Sequence, residues 1–210
     1  MDVFTGFPVA ALDFYDDLEL DNTRSFWEAN RATYDEAVRA PMTALCAALE
    51  PEFGDAKVFR PYRDVRFAKD KTPYKIHQGG FVQAGPATGW YVQVSAAGVR
   101  VGVGYYHPEK EPLAAIRQGI DDDLTGPQLL RIVTRLRGAG WAMSGETLKT
   151  APRGYAADHP RIDLLRHKTL TFTQDYGFDE VIHTPALADL VRRDWRAGRP
   201  LVEWVLDRVT

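Results

Sequence analysis

The sequence predicts an α+β fold, an antiparallel sheet flanked by N-terminal, middle and C-terminal helices, in a single domain spanning 1–210. Three observations predict it. Apolar residues recur at helical spacing from Pro8 to Gly54, and they change to a period of two between Val99 and Tyr105. Helix-like and strand-like segments also come in blocks rather than as alternating βαβ units. A hydrophobic content of 45% with 11% aromatic residues is enough to bury a sizeable core and excludes a wholly disordered chain.

The elements follow in order. Pro8 to Leu18 places Leu12, Tyr15 and Leu18 on one side of a helix. Asn22 or Thr23 can cap the next helix, which leads through Phe26, Trp27 and Tyr34 into the stripe Val38, Met42, Leu45 and Leu49. Cys46 lies within that stripe and reads as a small buried hydrophobe rather than a nucleophile. Pro41 should kink the run or begin a new helix, and Gly54 should stop it. Val58 to Phe67 reads as a strand broken by Pro61. Gly80–Gln83, Trp90–Ser95 and Val99–Tyr105 read as further strands, with Ala97-Gly98 at a hairpin tip.

Helices are expected over about Glu109–Ile120 and Pro127–Gly138, with Thr125 as cap and Pro127 in the first turn of the second. The run Asp121 to Asp123 between them reads as a solvated, helix-leading acidic corner. Leu164 to Phe172 suggests a helical turn followed by a strand. From Thr184 to Val209 the chain is helical again, with a break expected at Gly198 and Pro200.

Charge singles out one stretch. Between Arg60 and Lys75 six cations (Arg60, Arg63, Arg66, Lys69, Lys71, Lys75) face two carboxylates, Asp64 and Asp70. That segment is +4 in a chain of formal net charge -3, so the remainder carries -7. Guanidinium forks bind phosphate, sulfate or carboxylate bidentately, lysines add point charge, and the Tyr74 hydroxyl adds a neutral donor. If Phe59–Phe67 is extended, Arg63 falls on the apolar face and needs a partner, because an unpaired buried charge is costly. Arg153 belongs to a second cationic segment, Lys149 to Arg161, which also holds Tyr155, Asp158 and His159. Should there be catalysis, His159 or Asp70 is the candidate base. The blander reading has Asp158 capping a short helix that begins at Pro160. No metal-ligand spacing, phosphate-cradling loop or nucleophile elbow occurs, so neither a metal nor a cofactor is indicated.

The run Arg63 to Lys75 resembles the hallmark of an uncharacterised bacterial family, domain of unknown function 2461. Phe26-Trp27 with Asn30 and Tyr34, the strand Gly102 to Tyr105, and Ala151 to Tyr155 with Asp158-His159-Pro160 are similar to its other recurring blocks. Arg153 stands where the resemblance leads one to expect lysine. The family implies a single soluble domain and no assigned activity.

The expectation is therefore a pocket for a small anion that touches Arg63 or Arg66. Two alternatives stand beside it. One is a structural ion-pair network in a protein-interaction domain, with Trp195 and Trp204 as candidate contacts. The other is binding to a nucleic-acid backbone, against which the acidic remainder of the chain and the pI of about 6.0 weigh. One cysteine fits a reducing compartment, and the start of the sequence lacks a secretion signal, so the expected setting is the cytoplasm with no membrane partner.

Overall fold

The computed structural model describes residues 3–67, 69–107 and 109–210. The chain begins with helices α1 (Val9–Leu20) and α2 (Arg24–Thr33), a π-helical segment over Tyr34–Arg39, and α3 (Ala40–Phe53). Strands β1 (Ala56–Val58), β2 (His77–Gly85), β3 (Thr88–Ser95) and β4 (Gly98–Tyr105) follow, then α4 (Lys110–Asp121) and α5 (Thr125–Gly138). The remainder is β5 (Ala142–Ser144), α6 (Ile162–Leu165), β6 (Leu170–Gly177), a 3-10 turn over Glu180–His183 and α7 (Ala186–Val209). The fold is α+β: one six-stranded antiparallel sheet in the order β1-β2-β3-β4-β6-β5, with helices at the N-terminus, middle and C-terminus. The chain forms two compact units. One holds residues up to Val82, Tyr91–Val101 and Asp175–Arg193; the other holds Gln83–Trp90, Gly102–Gln174 and Asp194–Thr210.

In the first unit α1, α2, the π-helical segment and α3 bury apolar residues that include Phe14, Tyr15, Leu18, Trp27, Val38 and Leu45. Of the two proposed caps for α2, Thr23 does the work, its hydroxyl accepting from Phe26 N–H at 3.3 Å. Pro41 begins α3 rather than kinking it. It has no N–H to give the preceding turn, and in the π segment the Ala40 N–H reaches back five residues to the Asp35 carbonyl. Gly54 ends α3 at φ 95°, a left-handed position that suits glycine. Cys46 is buried, and burial pushes its thiol up to about 12. A Cβ at Gly80 would lie 2.7 Å from Cys46 Sγ, so glycine there lets β2 approach α3.

Two expectations about the second unit are corrected. Gly198 and Pro200 do not break α7, which runs through both. Trp195, Leu201, Val202 and Val205 are all buried on either side of that point, so packing outweighs the local helix-breaking tendency. Gly198 has a packing role as well, since an added Cβ would sit 2.7 Å from both Val103 methyls. Thr125 is not the cap of α5. Asp122 accepts from Leu124 N–H at 2.9 Å and Thr125 N–H at 2.7 Å, while the Thr125 hydroxyl donates to the Gly119 carbonyl at 2.7 Å. The acidic corner is thus a helix-capping corner.

A third correction matters for the site. The strand expected over Val58–Phe67 stops at Val58, and the chain leaves the sheet until His77. The hairpin tip also shifts by one residue, to Ala96-Ala97, with Gly98 opening β4.

Candidate aromatic and arginine-lined site

The cationic segment folds as a loop with a short two-sided stem. Phe59 N–H donates to the Gly79 carbonyl at 2.9 Å, and Tyr62 faces Tyr74 in a single bridge. That bridge is flanked by Arg63 N–H to Pro73 O and Lys75 N–H to Pro61 O, both 2.8 Å. Beyond the stem, neighbouring charges satisfy one another. Asp64 takes both ends of the Arg66 fork at 2.9 and 2.6 Å. Asp70 accepts from Thr72 N–H and hydroxyl, each at 2.9 Å, and from Arg63 Nη1 at 2.5 Å. The Thr72 bonds, reinforced by Arg63, hold the Asp70 carboxyl below its ordinary range; the Arg66 fork does the same for Asp64. Lys71 donates to the Val65 carbonyl at 2.9 Å, and Lys75 to the Arg60 carbonyl at 3.1 Å, over the Phe59 ring. Arg63 is half-buried and paired rather than stranded on an apolar face, because no strand forms there to create that face. Among the described residues, only Arg63 and Arg66 of the six loop cations have a carboxylate partner; Lys71 and Lys75 bond backbone carbonyls, and Arg60 and Lys69 have no ion pair.

Behind the stem lies an aromatic cluster. The Trp27 and Tyr74 rings stack at 4.3 Å and 8°, with Tyr34 at 4.7 Å from Trp27 and Tyr62 at 5.5 Å from Tyr74. Asn22 fixes the Tyr74 backbone from both sides, donating to its carbonyl at 3.0 Å and accepting from its N–H at 3.1 Å. That bond pair is why Asn22 does not cap α2. The Tyr34 hydroxyl donates to Gln78 Oε1 at 2.5 Å, and Gln78 Nε2 donates to the Phe59 carbonyl at 2.7 Å. The root of the loop is therefore tied to the helical layer. Burial pushes the Tyr34 hydroxyl up to about 12, against the opposing pull of Arg39.

Two recesses open at this cluster. One, of about 180 Å³, is bounded by Trp27, Tyr34, Tyr62, Arg31, Arg39 and Arg60, among others. The other, of about 350 Å³, is bounded by Arg24, Trp27, Glu28, Arg31, Tyr62 and Tyr74. Arg24 pairs with Glu28 at 2.7 Å and Arg31 with Asp35 at 3.6 Å, both largely solvent-exposed and so weak and adjustable. Arg39 and Arg60 have no ion pair among the described residues. Trp27 is only 4% exposed, yet its indole N–H has no hydrogen-bond partner among the described residues. A buried donor left in that state calls for an explanation.

Sequence reasoning found Arg60 and Tyr74 but missed Trp27, Arg31 and Arg39 as site residues. A signal existed: Arg24, Trp27, Arg31 and Tyr34 recur at three- and four-residue steps, which puts cations and aromatics on one helical face.

The second cationic segment belongs to the second unit, so Arg153 is not part of the same unit as Arg63 and Arg66. Arg153 is exposed. His159 uses both ring nitrogens internally: Nδ1 accepts from Arg161 N–H at 3.0 Å, and Nε2 lies 3.1 Å from Asp121 Oδ1. Arg161 donates to the Ile120 and Asp121 carbonyls at 2.6 and 2.7 Å, fastening this segment to the end of α4. The carboxylate that orients His159 is thus Asp121. Asp158 is exposed, and α6 has no side-chain cap. Each candidate base is held by its neighbours, His159 by Asp121 and Arg161, Asp70 by Thr72 and Arg63.

Among the described residues no group of three or more His, Cys, Asp or Glu could hold a metal ion, and no helix is long and apolar enough to cross a membrane. No match was found among curated proteins. The family profile described as "Conserved hypothetical protein (DUF2461)" matches residues 10–204, from α1 into the last turns of α7, and the chain belongs to that family.

Proposed function

We propose that the protein binds a small anion, a phosphate, sulfate or carboxylate, in the recess between the aromatic cluster and the loop stem. The observation that carries this reading is the placement of Arg39 and Arg60. Both line the 180 Å³ recess, and neither has an ion pair among the described residues. Both are exposed residues at the rim of the aromatic wall, so each guanidinium can offer an incoming anion a charge-assisted bond. The cationic excess read from the sequence thus serves two purposes. Arg63 and Arg66 pair with Asp70 and Asp64 within the loop, which leaves them less available to a ligand. Arg60 is left for a ligand. A cytoplasmic setting goes with this proposal, and no reaction is assigned.

Calorimetric titration with phosphate, sulfate and acetate tests it. Binding of at least one is expected, weakened tenfold or more in Arg39→Ala/Arg60→Ala and unchanged in Arg66→Ala, whose fork Asp64 already occupies. No binding by any of the three anions, or binding indifferent to the double substitution, refutes the proposal. A nucleic-acid backbone would show itself instead by affinity falling steeply with salt.

A further inference from the structure

We infer that the anion bound here carries a flat unsaturated ring, so that the ligand class is a ring-bearing phosphate of about the size of a nucleoside monophosphate. This rests on the anion-binding reading above and narrows it. The two recesses share Trp27, Arg31 and Tyr62 on their walls and so adjoin, and a ligand that spans them would use them as two lobes. They differ in chemistry. The smaller lobe, of about 180 Å³, has Arg39 and Arg60, which have no ion pair among the described residues, beside Asp35, which Arg31 neutralises. The larger, of about 350 Å³, has Tyr62, Tyr74 and the self-neutralising Arg24–Glu28 pair. A single phosphate suits two free guanidinium groups in the first lobe. It leaves the second lobe, with its aromatic walls, to water. Together the lobes have the volume typical of small-molecule sites, about 300–1,000 Å³.

The shared wall specifies what fills the larger lobe. Tyr62 is 48% exposed, so it can take a further ring against it, whereas Trp27 is already stacked on Tyr74. A saturated sugar offers no flat π-face to such a wall. A stacking face beside two guanidinium groups that have no ion pair among the described residues describes an aromatic ring joined to a phosphate.

The test is titration of the full chain with inorganic phosphate, ribose 5-phosphate, AMP and UMP, followed by calorimetry. At least one mononucleotide should bind about tenfold tighter than both ring-free probes, the effect of one good stacking contact. Tyr62→Ala, with unchanged urea unfolding as the control that the stem is intact, should reduce the mononucleotide to the ring-free level. Arg60→Ala should weaken every probe. If all four probes bind alike and Arg60→Ala still weakens them, the ring inference falls and the anion site stands. A mononucleotide advantage that survives Tyr62→Ala also overturns it, because the ring then lies elsewhere. If no probe binds at millimolar concentration, both readings fall.

Discussion

Replacing Tyr34 by phenylalanine removes one hydroxyl from the junction between the helical layer and the root of the loop. The ring keeps its place and its contacts with Phe14 and Trp27, so no significant cavity opens. What is lost is the 2.5 Å bond to Gln78 Oε1. Gln78 is 1% exposed, and its amide nitrogen is engaged by the Phe59 and Gly79 carbonyls at 2.7 and 3.0 Å. The amide therefore cannot flip to hide its oxygen, which is left buried and unpaired. Such a group costs about 1–3 kcal/mol. Urea unfolding at neutral pH should show that loss, and Phe59 with the loop stem should loosen first. The hydroxyl also carries a pH signature. Burial raises the Tyr34 pKa from 10.0 to about 12, so the folded state retains a proton that the unfolded chain releases. Its stability is complete below pH 10 and declines as pH rises from 10 towards 12. Tyr91 behaves alike, and its pKa is also raised to about 12, so the variant should keep a reduced alkaline slope rather than none. A loss under about 0.5 kcal/mol at neutral pH, less than half the low end of the cost of an unpaired buried acceptor, would refute the reasoning, as would an alkaline slope unchanged from the parent.

Other expectations concern the loop and the packing. Asp70 titrates low because Thr72 and Arg63 bond its charged form, so its support is present above the ordinary aspartate range and fades as pH falls through its lowered pKa. The Thr72 amide chemical shift should report a midpoint below about 3.9, and a midpoint at or above that value contradicts the bonding described. Gly198→Ala should destabilise by about 1–3 kcal/mol in thermal or chemical unfolding, despite alanine's better helix propensity, because its Cβ would press on both Val103 methyls. Gly138→Ala, where an added Cβ meets nothing within 4 Å, should be neutral or slightly stabilising by up to about 1 kcal/mol. Asn22→Ala removes both bonds to the Tyr74 backbone and should cost about 1–3 kcal/mol, with a rise in exchange of the Tyr74 amide.

The parts of the fold set by local pattern were readable from the residues. Alternation along Val99–Tyr105 marked a strand, and Gly54 marked a helix end, because each depends on neighbours a few positions away. The stretch Phe59–Phe67 was misread as a strand, since its charges are satisfied at spacings such as Asp64 to Arg66 and Arg63 to Asp70, which alternation does not register. Continuity of α7 through Pro200 came from tertiary burial, which outranks propensity. The cationic excess was visible as a count. Which cation lines the recess was not, because that depended on Arg39 and Trp27 in the helical layer meeting Arg60 from beyond β1.

The sheet ends on both sides in strands of only three residues, Ala56–Val58 and Ala142–Ser144. A foreign strand approaching either margin finds at most a few unmet backbone groups, too few to offset the entropy of docking. The longer, apolar strands that could template fibril growth are β3 and β4, and both are flanked by neighbours on each side. Short margins therefore give this chain a built-in resistance to edge-to-edge aggregation, one that an insertion lengthening either outer strand would erode.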